Sequence, residues 1–380
     1  MTRNLRALFL TVLLGFPVLP AMGASDPVFA ARKAAEDLQS ATRSLRDARI
    51  AKDRVAALSD AVRAYEDGLR AMRESLRKAA VREQALRLHF ERSRDRLSRL
   101  LGVLQTLQRA STPLLLIHPS GPLGTARSGQ VLSEITPALH AEAEELRTQL
   151  EELSLLQGLQ QTALDDLQAG LDGVQTARVA LNAAITERTD LPMRLGASPD
   201  ALQMLAAGAL TLEGFARGLA DLPFDGDAPE LPPFSQSKGT VPLPVFGTLL
   251  RGYNEADAAG LRRPGLIISA PPVALVKAPL AATIRYLGPF LDYGNVIILE
   301  PELGYLIILA GLGQVYGEVG QILSTGDPIG LMSGNDPSAE DFLVDTTDGV
   351  GEIRQETLYI EIRQGRKTVD PGDWFALKNR

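Results

Sequence analysis

The strongest constraint on this chain is a long run of apolar residues in alternating four- and three-residue steps. It passes through Leu58, Val62, Tyr65, Leu69, Met72, Leu76, Ala79, Leu86, Phe90, Leu97, Leu100, Leu104 and Leu107, with Glu83 and Ser93 as its only breaks. A step pattern held this long implies a coiled-coil seam, because a globular helix drifts to a 3.6-residue period. A second series runs from Leu139 through Leu146, Leu150, Leu153, Leu164, Leu167, Leu171, Val174 and Leu181 to Ile185. Gln157, Gln160 and Arg178 weaken it, and Gly158, Gly170 and Gly173 each cost about 1 kcal/mol of helix propensity. Its natural partner is the first helix, folded back antiparallel, since both series would span ~70 Å at 1.5 Å per residue. The stretch before Leu58 has no partner in that pairing and should project past the base. Between the arms, residues 112–137 hold four Pro and the cluster Leu114-Leu115-Leu116-Ile117. This tip, residues 111–137, is either a partner site or a compact cap packed on itself.

The rest of the chain divides around this arm. Arg3 and Arg6, the short apolar run 8–19 and the small residues 21–24 read as a secretory signal peptide, residues 1–24. Residues 25–190 are then the coiled coil, 191–237 a helix with a linker, and 238–380 a small all-β domain. Ser198-Pro199-Asp200 opens the helix, with Ser198 as N-cap and Pro199 at the first helical position. It should continue to Asp221, with Leu202, Leu205, Ala209, Leu212, Phe215 and Leu219 on one stripe. Such a helix must bury its stripe, either on the unpaired base of the arm or in a groove of the β-domain. Residues 222–237, rich in Pro, Gly and acid, should be an extended tether. The net charge of −7 argues against nucleic acid, which requires clustered Lys and Arg. His89, His118 and His140 are scattered singly, and the chain has no Cys.

In the β-domain, 293–300 (YGNVIILE) and 305–310 (YLIILA) read as neighbouring strands around a turn at 301–304. Residues 319–330 (VGQILSTGDPIG) form a Gly-marked turn system, and 357–363 (TLYIEIR) is another strand. Together with the closing VDPGDW, these stretches resemble the lysostaphin/LytM-type zinc endopeptidases that cut peptidoglycan cross-links. The resemblance covers roughly the last third of the chain. It places the family's H-x-x-x-D motif on residues 263–267, so Arg263 replaces His and Ile267 replaces Asp. Gly311 stands where a further His would be, and Thr357 and Tyr359 occupy the H-x-H segment. No His follows His140, so neither a zinc site of the usual ligands nor a Ser-His-Asp arrangement can be built there.

The string LYIEIRQG followed by VDPGDW is similar to the EnvC-type murein hydrolase activators. The implied architecture is an α+β multidomain chain: a long antiparallel coiled-coil hairpin and a regulatory helix, then a degenerate LytM-like domain. The implied function is non-catalytic activation of periplasmic N-acetylmuramoyl-L-alanine amidases during cell division, without a cofactor. The implied partners are an amidase and the periplasmic domain of FtsX, with peptidoglycan met indirectly. The resemblance also implies that the helix covers the groove until FtsEX moves the arm. The groove then comprises Arg263, Ile267, Tyr305, Gly311, Gln355, Thr357, Tyr359 and Glu361. Two rival readings are an active zinc-dependent peptidoglycan endopeptidase and a structural cell-wall binding protein.

Overall fold

The computed structural model describes residues 27–48, 50–109, 121–188, 192–194, 198–222, 233–257, 260–335 and 355–377. The signal-peptide reading and the apolar cluster 114–117 lie outside these residues. A helical N-terminal region precedes an antiparallel-sheet domain. It consists of α1 (Pro27–Asp47), α2 (Ala51–Arg109) and α3 (Gly121–Thr186). No helix among the described residues is long and apolar enough to cross a membrane.

α2 and α3 run antiparallel. Toward their base they bury Val55, Leu58, Val62, Leu69 and Leu76 against Leu167, Leu171, Val174 and Leu181. Three of the breaks in the two apolar series, Glu83, Gln157 and Arg178, have cross-helix partners. Gln157 donates to the Glu83 carboxylate at 3.2 Å, and Arg178 donates to Glu66 at 3.1 Å. A Cβ on Gly173 would lie 2.6 Å from the Tyr65 ring, and one on Gly170 would lie 2.9 Å from Leu69. These glycines admit the large side chains of α2. Packing thins away from the base, where Leu150 and Leu155 are exposed.

Two expectations for this region need correction. The segment before Leu58 does not project unpaired. The helix breaks after Asp47, and α1 lies along α2 with Ala41 buried, while Val55 and Ala57 at the start of α2 are buried too. Nor is the whole of 112–137 a connection, because α3 starts at Gly121 and runs through Pro137. Only one backbone donor is lost there, and it does not end a helix of this length.

The base of α2 and α3 rests on the β-domain through Leu275, Tyr316 and Leu331. The Glu66 carboxylate also accepts the Leu275 N–H at 3.0 Å, and Lys277 donates to Asp60 at 3.2 Å. The domain holds β1 (Thr248–Arg251), β2 (Leu266–Ala270), β3 (Leu275–Lys277), β4 (Ala282–Pro289) and β5 (Asn295–Glu300). It continues with β6 (Tyr305–Val315), β7 (Ile322–Leu323), β8 (Pro328–Met332), β9 (Glu356–Gln364) and β10 (Lys367–Val369). The main order is β1-β2-β9-β6-β5-β4-β7, antiparallel throughout.

Alternation along the central strands sends Ile297, Leu299, Ile307, Leu309, Leu358, Ile360 and Ile362 into one core. Val296, Ile298, Leu306, Ile308 and Ala310 point the other way, into a second buried cluster. Strands buried on both faces read as unbroken apolar runs, which is why VIILE and LIILA do not alternate. Residues 222–237 are not wholly a tether either. Phe234 is fully buried, stacked on Trp374 at 5.4 Å with Tyr305 at its edge, because an aromatic ring gains more from that pocket than from solvent.

Helix propensity and cross-helix packing make opposite demands on the α3 glycines. A Cβ on Gly158 would have nothing within 4 Å, so Gly158→Ala should stabilise by up to ~1 kcal/mol. Gly173→Ala drives a methyl into Tyr65 and should destabilise by about 1–3 kcal/mol. Thermal unfolding of the two variants followed by helical circular dichroism checks the opposite signs.

Candidate functional site

The second face of the sheet is covered by two short helices, α4 (Pro199–Gly208) and α5 (Leu212–Asp221). The single helix expected over 199–221 is therefore broken. Ser198 caps α4 through the Ala201 N–H as expected, and Thr211 caps α5 through the Gly214 N–H at 3.0 Å. That second cap, after the extended residues Ala209 and Thr211, starts a new helix. Leu212, Phe215, Ala216 and Leu219, at i, i+3, i+4 and i+7, are all buried. Phe215 sits between Tyr286 and Phe290, each with ring centroids 4.7 Å away. Leu202 is buried in the same cluster, with Leu205 and Ala209 packed at its margin. The six stripe residues thus come together on the sheet rather than on the base of the arm.

Polar contacts fix the C-terminal end of α5. Arg285 donates to the carbonyls of Leu219 and Leu222, each at 3.1 Å, and to Glu300 at 3.0 Å. Arg366 pairs with Asp221 at 2.9 Å. Arg194 reaches the other Glu300 oxygen at 3.0 Å. Sequence reasoning missed Arg194, Arg285 and Glu300. The signal available was a charge inside each of two otherwise apolar strands, ATIRYL and VIILE.

The expected groove residues divide into three groups. Ile267 and Tyr359 are paired across β2 and β9, and Thr357 and Gln355 lie further along the same face, with Ser269 bonded to Gln355. Arg263 is exposed at the mouth of a recess of about 10 Å³ that it shares with Gly265 and Ile267. Gly311 has φ +99° and lies against the Thr357 carbonyl, where a Cβ has no room. Tyr305 does not belong to this group. It faces the opposite side of the sheet and packs on Phe234 and Trp374, because it has the parity of Ile307 and Leu309.

Glu361 lies deeper, under the helices. Its carboxylate accepts from the Tyr359 hydroxyl and from Arg363, each at 2.7 Å. The Tyr359 ring covers Gly265, where a Cβ would come within 2.5 Å of it. The open cleft expected between the former ligand positions is therefore largely filled by this chain's own side chains. Zinc, which this fold implies elsewhere, does not fit the corner residues. They offer a guanidinium, an aliphatic chain and a phenol already bonded to Glu361. Among the described residues no group of three or more His, Cys, Asp or Glu could hold a metal ion.

Burial pushes the Tyr359 phenol well above its usual range, with the adjacent Glu361 adding to the effect. Burial likewise raises the Glu361 carboxyl above 4.5, opposed by Tyr359 and Arg363, while Glu213 on α5 raises it further. The folded protein thus holds the Glu361 proton more tightly than the unfolded chain does. The stability this gives is fully present below the ordinary carboxyl value and is lost as pH rises through the folded one. Glu361→Gln should show a stability deficit that is largest in acid and narrows toward neutrality. Denaturant unfolding of wild type and variant across that range measures it, and a deficit that widens with pH would contradict it.

Residues 262–371 match the family description of Peptidase family M23. An uncharacterized protein of Neisseria meningitidis is 26% identical over 142 residues, which is 37% of this chain and 21% of the relative. One of Haemophilus influenzae is 28% identical over 138 residues, 36% of this chain and 30% of the relative. The chain therefore spans under a third of the curated relatives it matches. Among solved structures, a putative peptidase M23 from Pseudomonas aeruginosa aligns with TM-score 0.32 and 15% identity, over 48% of this chain and 64% of that one. A zinc-containing peptidase from Vibrio cholerae aligns with TM-score 0.27 and 18% identity, over 36% and 39%. The C-terminal part of the chain is a LytM-like domain of the Peptidase family M23 type.

Proposed function

We propose that the chain is a non-catalytic activator of periplasmic peptidoglycan amidases, with its M23-type domain serving as a docking surface. The observation that carries this reading is the seat of α4 and α5. An amphipathic helix pair covers the sheet face that runs up to Tyr359 and Glu361. The corner residues Arg263, Ile267 and Tyr359 supply no metal ligand set, so the face has no chemistry of its own to protect. What the helices cover is a strip of apolar side chains with a buried Tyr359–Glu361–Arg363 chain beside it. That is the kind of surface an amphipathic helix of a partner would take.

In this reading α2 and α3 are a coiled-coil hairpin, and an FtsEX-type complex acts on it from the membrane. Movement of the arm lifts α4 and α5, and an amidase helix replaces them on the sheet. The switch is a population shift, so the seat must be weak enough to be displaced. Removal of a signal peptide and residence in the periplasm belong to the same proposal.

Deleting residues 199–221, or combining Phe215→Ala with Leu219→Ala, should raise amidase stimulation. Each large-to-small change costs about 2–5 kcal/mol of burial, enough to empty the seat. Dye release from labelled peptidoglycan, with amidase and with or without the variant, reads the effect. Tyr359→Ala in the same assay should reduce stimulation. The reading is sunk if the deletion leaves stimulation unchanged, or if the protein digests peptidoglycan without amidase.

A further inference from the structure

Among the described residues, Glu300 is the carboxylate that links the end of the helical arm to the helices on the sheet. Past α3, residues 192–194 form a strap along the edge strand β7. Pro192 accepts the Ile322 N–H at 2.8 Å, and the Arg194 N–H donates to Gly320 at 2.8 Å. The Arg194 side chain then turns inward to one Glu300 oxygen, while Arg285 takes the other. All three side chains are no more than 7% exposed. The second Arg285 amino group holds the last carbonyls of α5. α5 has no basic residue in its own last turn, so Arg285 supplies cationic charge that favours a helix C-terminus.

We propose that this Arg194–Glu300–Arg285 chain is a latch that couples the strap to α5. When the strap is pulled off β7, Arg194 leaves and one Glu300 oxygen loses that partner in a buried site. The Arg285 guanidinium then swings to a bidentate fork on Glu300, the strongest geometry for such a pair. That swing takes its amino group off the Leu219 and Leu222 carbonyls, and the C-terminal end of α5 is left with the exposed Arg366–Asp221 pair. Force on the arm therefore reaches α5 through the side chains of Arg194, Glu300 and Arg285. That the release opens a partner site rests on the function proposed above, whereas the coupling itself does not.

Hydrogen exchange on the full chain tests the latch without amidase. Arg194→Gln should speed exchange of the 212–221 amides about tenfold, within the range typical of coupled sites, and leave β9 protected. Gly320→Ala should do the same without removing a charge. Its Cβ would lie 2.5 Å from the Arg194 carbonyl, at a residue with φ +90°, so it forces the strap off β7. If Arg194→Gln deprotects β9 as well, Gly320→Ala decides the matter. Adding Arg194→Gln to Arg285→Gln should give no further increase over Arg285→Gln alone. Wild-type exchange of α5 in Gly320→Ala, or additive effects in the double variant, overturns the latch. Faster α5 exchange without a rise in amidase stimulation instead overturns the proposed function and leaves the latch standing.

Discussion

A sheet that is apolar on both faces must be covered on both, and the rest of this structure follows from how the second face is covered. The first face is closed by the domain itself, with Phe234, Trp374 and Phe375 sealing its end. The second is closed by α4 and α5, a segment between the arm and the domain. Without them Val296, Ile298, Leu306 and Ile308 would form a contiguous exposed patch, the usual mark of a binding surface. The domain can therefore present that face only when something else takes the place of Phe215 and Leu219.

The arm shows the same economy in its charges. α2 carries 14 basic and 8 acidic residues, and α3 carries 3 basic and 9 acidic. A net +6 helix beside a net −6 helix favours pairing within the chain and disfavours like helices meeting between chains. The Arg82–Glu152 pair is exposed and adds little stability alone. Arg178–Glu66 is largely buried, and Glu66 also takes the Leu275 N–H, so it fixes the arm to the domain as well as to α3. The base of the arm and the β-domain are thus joined by apolar packing and buried charge together.

Much of this was legible in the sequence, because it rests on periodicity. The two long helices, the strands around 301–304 and the stripe from Leu202 to Leu219 all follow from apolar spacing. What was not legible depends on pairing. Nothing local shows that Gly173 makes room for Tyr65, or that α1 folds back onto α2. Tyr305 was misplaced because position along a strand was weighed without parity, and one residue decides the face. The break at Thr211 was hidden because the stripe continues through it, and only the cap chemistry of Thr211 with Gly214 marks it. Arg194, Arg285 and Glu300 lie far apart in the chain, and their meeting is a product of the fold alone.

The strength of the seat on the second face can be argued from its glycines. Gly218 is required, because a Cβ there would collide with Leu205 at 2.5 Å. Gly214 is half-required, with the capping hydroxyl of Thr211 at 3.2 Å. Gly208 has nothing within 4 Å and is not in a left-handed conformation, so no contact explains it. As the last residue of α4 it weakens that helix by less than the ~1 kcal/mol that glycine costs in a helix interior. Under the proposed function a partner helix must compete with α5, which is tethered beside its own seat, and its apparent affinity falls by the fraction of molecules that are closed. A seat made by Phe215 and Leu219 alone would hold that fraction near one. Gly208, a helix-weakening residue that packing does not demand, acts in the opposite direction, and under the proposed release it lowers the closed fraction that a pull on the arm would have to overcome.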